Sequence, residues 1–202
     1  MDKKSITNTY LPLKEQINAN LSRFQNPSEE AIQKELIFCL LTPQSNAKSC
    51  WRAVEQLFKE GKWDIPSISN ALKSRTRFHN NKAKYVLEAL NNWGNIRQII
   101  NNDNDIIKLR NNLAENIKGL GLKEASHFLR NIGSSNNQIA ILDRHILRNL
   151  KALKIINEAK IKSNKHYLEI EQSFLKFSKD IKIPIDHLDL LFWHKEHNEF
   201  FK

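Results

Sequence analysis

Two residues stand where an amine and a carboxylate could work as a pair. Lys123 follows two glycines in Gly119-Leu120-Gly121-Leu122-Lys123, and Asp143 follows an apolar run, Ile139-Ala140-Ile141-Leu142. An amine can attack an electrophilic carbon such as a sugar C1′ and form a Schiff base, and a carboxylate can orient or deprotonate it. Lys123 opens an amphipathic helix in which Ala125, Phe128, Leu129 and Ile132 recur at helical spacing. The first turn of a helix presents free N–H groups and positive potential, a poor place for a cation. The position therefore suits either a phosphate held by the backbone or an amine that is not protonated.

Each feature has two readings. Gly119 and Gly121 allow close approach of a phosphate to N–H groups at a helix start. The segment is then a helix-hairpin-helix that grips one DNA strand without reading bases, or it is a plain turn between two helices. Lys123 is a phosphate-binding cation or a nucleophile. Asp143 is the N-cap of the next helix or a catalytic carboxylate, and the roles are compatible because one oxygen can cap while the other faces a substrate.

The elements that position these residues are helices. Asn26-Pro27-Ser28-Glu29 reads as N-cap, Pro at N1 and acidic N3, followed by Ile32, Leu36, Ile37, Leu40 and Leu41. Further stripes run through Ala47, Trp51, Val54 and Phe58 to Gly61, and through Ala83, Val86, Leu87, Leu90 and Trp93 to Gly94. Ile106, Leu109, Leu113 and Ile117 precede the glycine pair, and Gly133 closes the helix after it. Ser134-Ser135-Asn136-Asn137 is a loop. Late helices carry Tyr167, Ile170, Phe174 and Phe177, then Leu188, Leu191, Phe192 and Lys195. No strand alternation appears, so the expected class is all-α. Two helical lobes are expected with a DNA-binding cleft between them: residues 27–133 as one, residues 1–26 with 134–202 as the other.

The chain has 202 residues, 40% of them hydrophobic, enough to build cores. Its 32 Lys and Arg against 22 Asp and Glu give a net charge of +10, which attracts polyanions unless it reflects lysine-rich coding bias. No apolar run approaches the roughly 20 residues that span a bilayer, and the N-terminal segment lacks a signal-peptide core, so a cytoplasmic protein is expected. Cys39 and Cys50 are too few for a four-cysteine cluster and lack metal-ligand spacing, so free buried thiols, no metal and no cofactor are expected.

Together these residues resemble the helix-hairpin-helix DNA glycosylase superfamily that includes endonuclease III, where a G-x-G-x-K hairpin precedes a D-x-H segment. Here these are Gly119, Gly121, Lys123, Asp143 and His145. The segment ELIFCLLTPQSNAKSCWRAV also resembles that superfamily, and Gln44 in it matches the glutamine that fills the gap left by a flipped nucleotide. The chain is more similar to the type 2 8-oxoguanine DNA glycosylases, through KEASHFLRN, AILDRHILRNL, RFHNNKAKY and the tail LDLLFWHKEHNEFFK. This similarity runs from Glu35 to Lys202. The 134–137 loop is longer than that family's pattern.

The resemblance implies a bifunctional glycosylase and AP lyase that removes 8-oxoguanine from double-stranded DNA, acting as a monomer. Lys123 would be the nucleophile and Asp143 its carboxylate; Gly119, Gly121 and Gln44 would contact DNA. Trp193 would be one wall of a base slot, with Phe78 or His79 the other, and Asp189 would line the pocket. Lys202 would read the base. 8-Oxoguanine carries a hydrogen on N7 where guanine has a lone pair, so an acceptor such as the terminal carboxylate pairs with the lesion and is stranded by guanine. A stranded buried group costs about 1–3 kcal/mol. His127, one turn past Lys123, reads as packing. The alternatives are a glycosylase of the same fold for another damaged or mismatched base, and a non-catalytic DNA-binding protein using only the hairpin.

Overall fold

The computed structural model describes residues 3–201, and every regular element among them is a helix. Two compact units are present: Pro27–Phe128, and the segments up to Asn26 and from Leu129 onward.

The Pro27–Phe128 unit holds α2 (Glu29–Leu41), α3 (Ala47–Glu60), α4 (Ile65–Leu72), α5 (His79–Asn91), α6 (Trp93–Asn102), α7 (Ile106–Asn116) and the start of α8 (Leu122–Asn131). α2 packs on α3 and α5, α4 on α3 and α5, and α6 on α5 and α7. Apolar residues at helical spacing supply the core, among them Phe38, Leu41, Val54, Leu72, Val86 and Phe128, all fully buried. Each such side chain contributes about 1.5–3 kcal/mol relative to exposure.

Two details differ from the sequence reading. Ser28, not Asn26, caps α2; its Oγ accepts from the Ala31 N–H at 3.2 Å, and Pro27 lies before the cap. Both types cap well, but Ser28 is the one followed directly by Glu29 and Glu30, which favour the helix dipole. Gly94 does not end a helix. α5 stops at Asn91 and α6 begins at Trp93, whose Nε1 donates to Glu29 at 2.7 Å while Arg97 pairs with the same carboxylate at 3.1 Å. These bonds hold Trp93 and Gly94 in a new helix fastened to the start of α2.

The other unit contains α1 (Lys3–Ser22), α9 (Arg144–Ala152), α10 (Asn164–Asp180) and α11 (Ile185–His197). α11 packs on α1, α9 and α10. Tyr10 Oη and His187 Nδ1 bond at 2.9 Å. Gly133 ends α8 in the left-handed region (φ 74), where a Cβ would lie 2.7 Å from the Phe24 carbonyl. The 134–137 loop is docked rather than loose. Ser135 is buried and donates to the Asp186 carboxylate, and Asn137 Oδ1 accepts from the Asp186 N–H at 3.2 Å. The loop is thus fastened to the start of α11.

Candidate functional site

The glycine segment joins α7 to α8 as a tight hairpin. Ile117 and Leu120 are buried and anchor it, while Lys118, Gly119 and Gly121 are exposed. Gly119 has φ 89, and a Cβ there would sit 2.5 Å from the Tyr85 ring, so both conformation and space require glycine. Gly121 opens α8, its carbonyl accepting from Ala125 at 2.9 Å. The result is bare, outward-facing backbone ahead of a helix start.

Lys123 occupies the first turn of α8, with its side chain 23% exposed. Its Nζ lies 3.6 Å from Glu124 Oε1. The sequence reading missed Glu124, although an acid three residues past Gly121 is a recognisable helix-start signal. Two lysine charges act on Cys50 nearby: burial pushes its thiol up to about 11, and Lys82 and Lys123 oppose that rise. The thiol donates to the Leu41 carbonyl at 3.2 Å. Both cysteines are free and buried, as expected. His127 packs its ring on Phe38 with centroids 5.5 Å apart.

Gln44 and Phe78 sit on two strained turns of the same unit. Gln44 follows α2 with φ 54 and is exposed; Phe78 precedes α5 with φ 58 and is 54% exposed. The Arg77 guanidinium lies 5.3 Å from the Phe78 ring. Lys82 ties the turns together. Its Nζ donates to the Leu41 carbonyl (2.6 Å), the Pro43 carbonyl (2.8 Å) and Ser45 Oγ (2.9 Å). Ser45 Oγ also accepts from the Arg77 N–H at 2.9 Å. Burial lowers the Lys82 ammonium, with the neighbouring Arg77 charge adding to the fall and Cys50 and Glu124 opposing it. The sequence reading missed Lys82 as well.

Asp143, in the other unit, caps α9. Its Oδ1 accepts from the N–H groups of His145 and Ile146, both at 2.8 Å, and Oδ2 takes no part in the cap. The apolar run before it is irregular and buried, and side chains of α10 bond its backbone at Ala140. Glu171 accepts from the Ala140 N–H at 2.8 Å, and Tyr167 donates to the Ala140 carbonyl at 2.5 Å. Glu171 and Tyr167 thus stand where neighbouring strands would be, and fix the residue that follows.

α11 carries Asp189 and, one turn on, Trp193. Asp189 pairs with the buried Arg130 at 3.1 Å. Trp193 lies 5.5 Å from the His145 ring and 4.2 Å from His197. His145 Nδ1 bonds Glu196, which also accepts from Arg148 at 2.8 Å and Asn149 at 3.4 Å, so the last turn of α11 is locked onto α9. Asp143 and Trp193 therefore share His145 as a neighbour. Burial would raise the Glu196 carboxyl, but His145, Arg148 and His197 outweigh burial and hold it low. His145, Glu196 and His197 could converge on a metal ion. However, the Glu196 carboxylate is already engaged by the Arg148 guanidinium at 2.8 Å and by His145 Nδ1, so the cluster is built as an ion-pair network. Lys202 lies outside the described residues.

The all-helical fold and the glycine hairpin opening onto a lysine define a helix-hairpin-helix protein. A sequence model of the 8-oxoguanine DNA glycosylase family matches residues 14–183. A Fusobacterium nucleatum protein named 8-oxoguanine DNA glycosylase/AP lyase is 41% identical over 94% of this chain and 90% of its own length. A Metallosphaera sedula protein of the same name is 40% identical over 83% of this chain and 82% of its own. The crystal structure of Methanocaldococcus jannaschii 8-oxoguanine DNA glycosylase superposes with a TM-score of 0.87 at 31% identity, covering 98% of this chain and 96% of that one. The same organism's enzyme in complex with a 15mer DNA containing 8-oxoguanine gives 0.84 at 32% identity, covering 94% and 93%. The chain belongs to the 8-oxoguanine DNA glycosylase family. No helix among the described residues is long and apolar enough to cross a membrane.

Proposed function

We propose that this protein removes 8-oxoguanine from duplex DNA and nicks the strand at the resulting site. The observation that carries the reading is the lysine at the start of α8 directly behind a bare-backbone hairpin, in a chain 41% identical over most of its length to a glycosylase/AP lyase.

The hairpin amides of Gly119 and Gly121 hold a backbone phosphate, helped by the net charge of +10. The lesion rotates out of the stack, at a cost of a few kcal/mol. Gln44 enters the vacated space. Phe78 and Trp193 each offer an aromatic face to the extruded base, with stacking worth roughly 1–3 kcal/mol per base. Lys202 reads the base by supplying an acceptor for the N7 hydrogen. Asp189 supports the slot indirectly by holding Arg130. Lys123 Nζ attacks C1′ as the bond from C1′ to N9 breaks, and the base leaves with its electron pair. Asp143 Oδ2 orients the amine, takes its proton and faces the positive charge developing on the sugar. The C1′ Schiff base acidifies C2′, and loss of that proton expels the 3′ phosphate. The protein works as a monomer in the compartment that holds the chromosome.

Borohydride trapping on a duplex bearing one 8-oxoguanine tests this. The protein gives a covalent adduct, Lys123→Gln gives none, and Asp143→Asn binds DNA normally but releases base poorly. Full adduct from Lys123→Gln would reject the assigned nucleophile. Binding without base release by the unaltered protein would leave only a backbone-gripping module.

A further inference from the structure

We propose that Lys82 is the positioning residue that holds the Gln44 and Phe78 turns in the arrangement excision requires; the inference rests on the DNA-contacting roles proposed above for those two residues. Lys82 is 4% exposed. Its ammonium has three hydrogens and meets three acceptors, so the match is complete. The Ser45 hydroxyl is equally committed, accepting from Lys82 and Arg77 and donating to the Pro43 carbonyl at 3.3 Å. Lys82 also sits one turn into α5 from Phe78, its N–H bonded to the Phe78 carbonyl at 3.0 Å. One side chain therefore fixes the spacing between two exposed residues that lie far apart in sequence.

Ending a helix does not require this apparatus. α3 ends on Gly61 at φ 63, where glycine takes the left-handed shape freely. After α2 that shape falls on Gln44, and before α5 on Phe78, where a side chain makes it unfavourable. The turns keep side chains at strained positions and bury a cation to hold them. Strain of this kind accumulates where the projecting group has work to do.

Lys82→Met keeps the length and removes the donors. Three measurements follow: amide hydrogen exchange of residues 42–46 and 76–79, single-turnover excision of 8-oxoguanine opposite cytosine, and borohydride trapping on a preformed abasic site. Exchange should quicken in those two turns alone. Excision should fall about tenfold to a hundredfold, the scale of a misplaced positioning group. Trapping at the abasic site, which has no base to extrude or stack, should fall far less. If Lys82→Met does not fold, Ser45→Ala carries the same test, because it removes the shared acceptor and leaves Lys82 in place. Unchanged exchange in both turns would overturn the proposal. So would excision and trapping falling together in step with melting temperature, which is the signature of a merely structural lysine. Gln44→Ala separates the two readings. Full activity there, with Lys82→Met still loosening the turns and slowing excision, rejects the gap-filling role of Gln44 and leaves Lys82 acting through Phe78.

Discussion

The hairpin at 117–121 and the turn at 41–45 both present exposed backbone after a helix, and they are made in opposite ways. The hairpin uses glycine at φ 89 and pins itself with the buried Ile117 and Leu120. The other turn uses glutamine at φ 54 and is fastened by a buried lysine. Glycine suffices where bare amides are wanted. At Gln44 a side chain projects from a left-handed position, and a lysine from another helix fastens the turn.

The largest effect expected of any change to this contrast is at Gly119. Gly119→Ala forces a methyl into the left-handed region and against Tyr85, and should cost about 2 kcal/mol or more with weakened duplex binding. Denaturant melts and a DNA titration check it; a stable variant that binds DNA normally would break the contrast. Gln44→Gly should move the two properties in opposite directions. Relief of strain stabilises the fold by about 1 kcal/mol, while loss of the side chain slows excision about tenfold. A variant both less stable and fully active would reverse the interpretation of that turn. Gly121→Ala is milder. Its Cβ would meet only the end of the Glu124 side chain at 3.2 Å, and the melt should change by less than about 1 kcal/mol.

The smallest effect is a pH dependence. The Lys82 ammonium is lowered from its ordinary 10.5 by burial, so between its folded value and 10.5 the unfolded chain binds more protons. Stability should rise with pH across that window in the unaltered protein relative to Lys82→Met. A flat difference would mean that Lys82 is not buried as a cation.

The parts of the candidate site legible in the sequence were those with local causes. Gly119, Gly121 and Lys123 lie within one turn, and Asp143 caps the amides of His145 and Ile146 in the first turn after it. The residues that sequence reading missed acquire their roles from distant partners. Lys82 looks like a solvated helix lysine until acceptors 37 to 41 residues away surround it. Glu171 and Arg130 are likewise defined by partners 31 and 59 residues away. α1 escaped notice because only Ile6, Tyr10 and Ile17 are buried along its 20 residues, too sparse a stripe to stand out from its polar surroundings. Gly94 misled because glycine punctuates helices often, and the bonds from Trp93 and Arg97 to Glu29 that override it lie far off in sequence.

The thiols bear on where such a protein can operate. Oxidised guanine accumulates under the same peroxide stress that converts accessible cysteines to sulfenic acid, and the thiolate is the form attacked. Cys39 and Cys50 are both fully buried, and burial pushes the Cys50 thiol up to about 11, which disfavours its thiolate at neutral pH. A repair catalyst with its sulfur shielded in this way would keep working through the oxidative burst that generates its substrate.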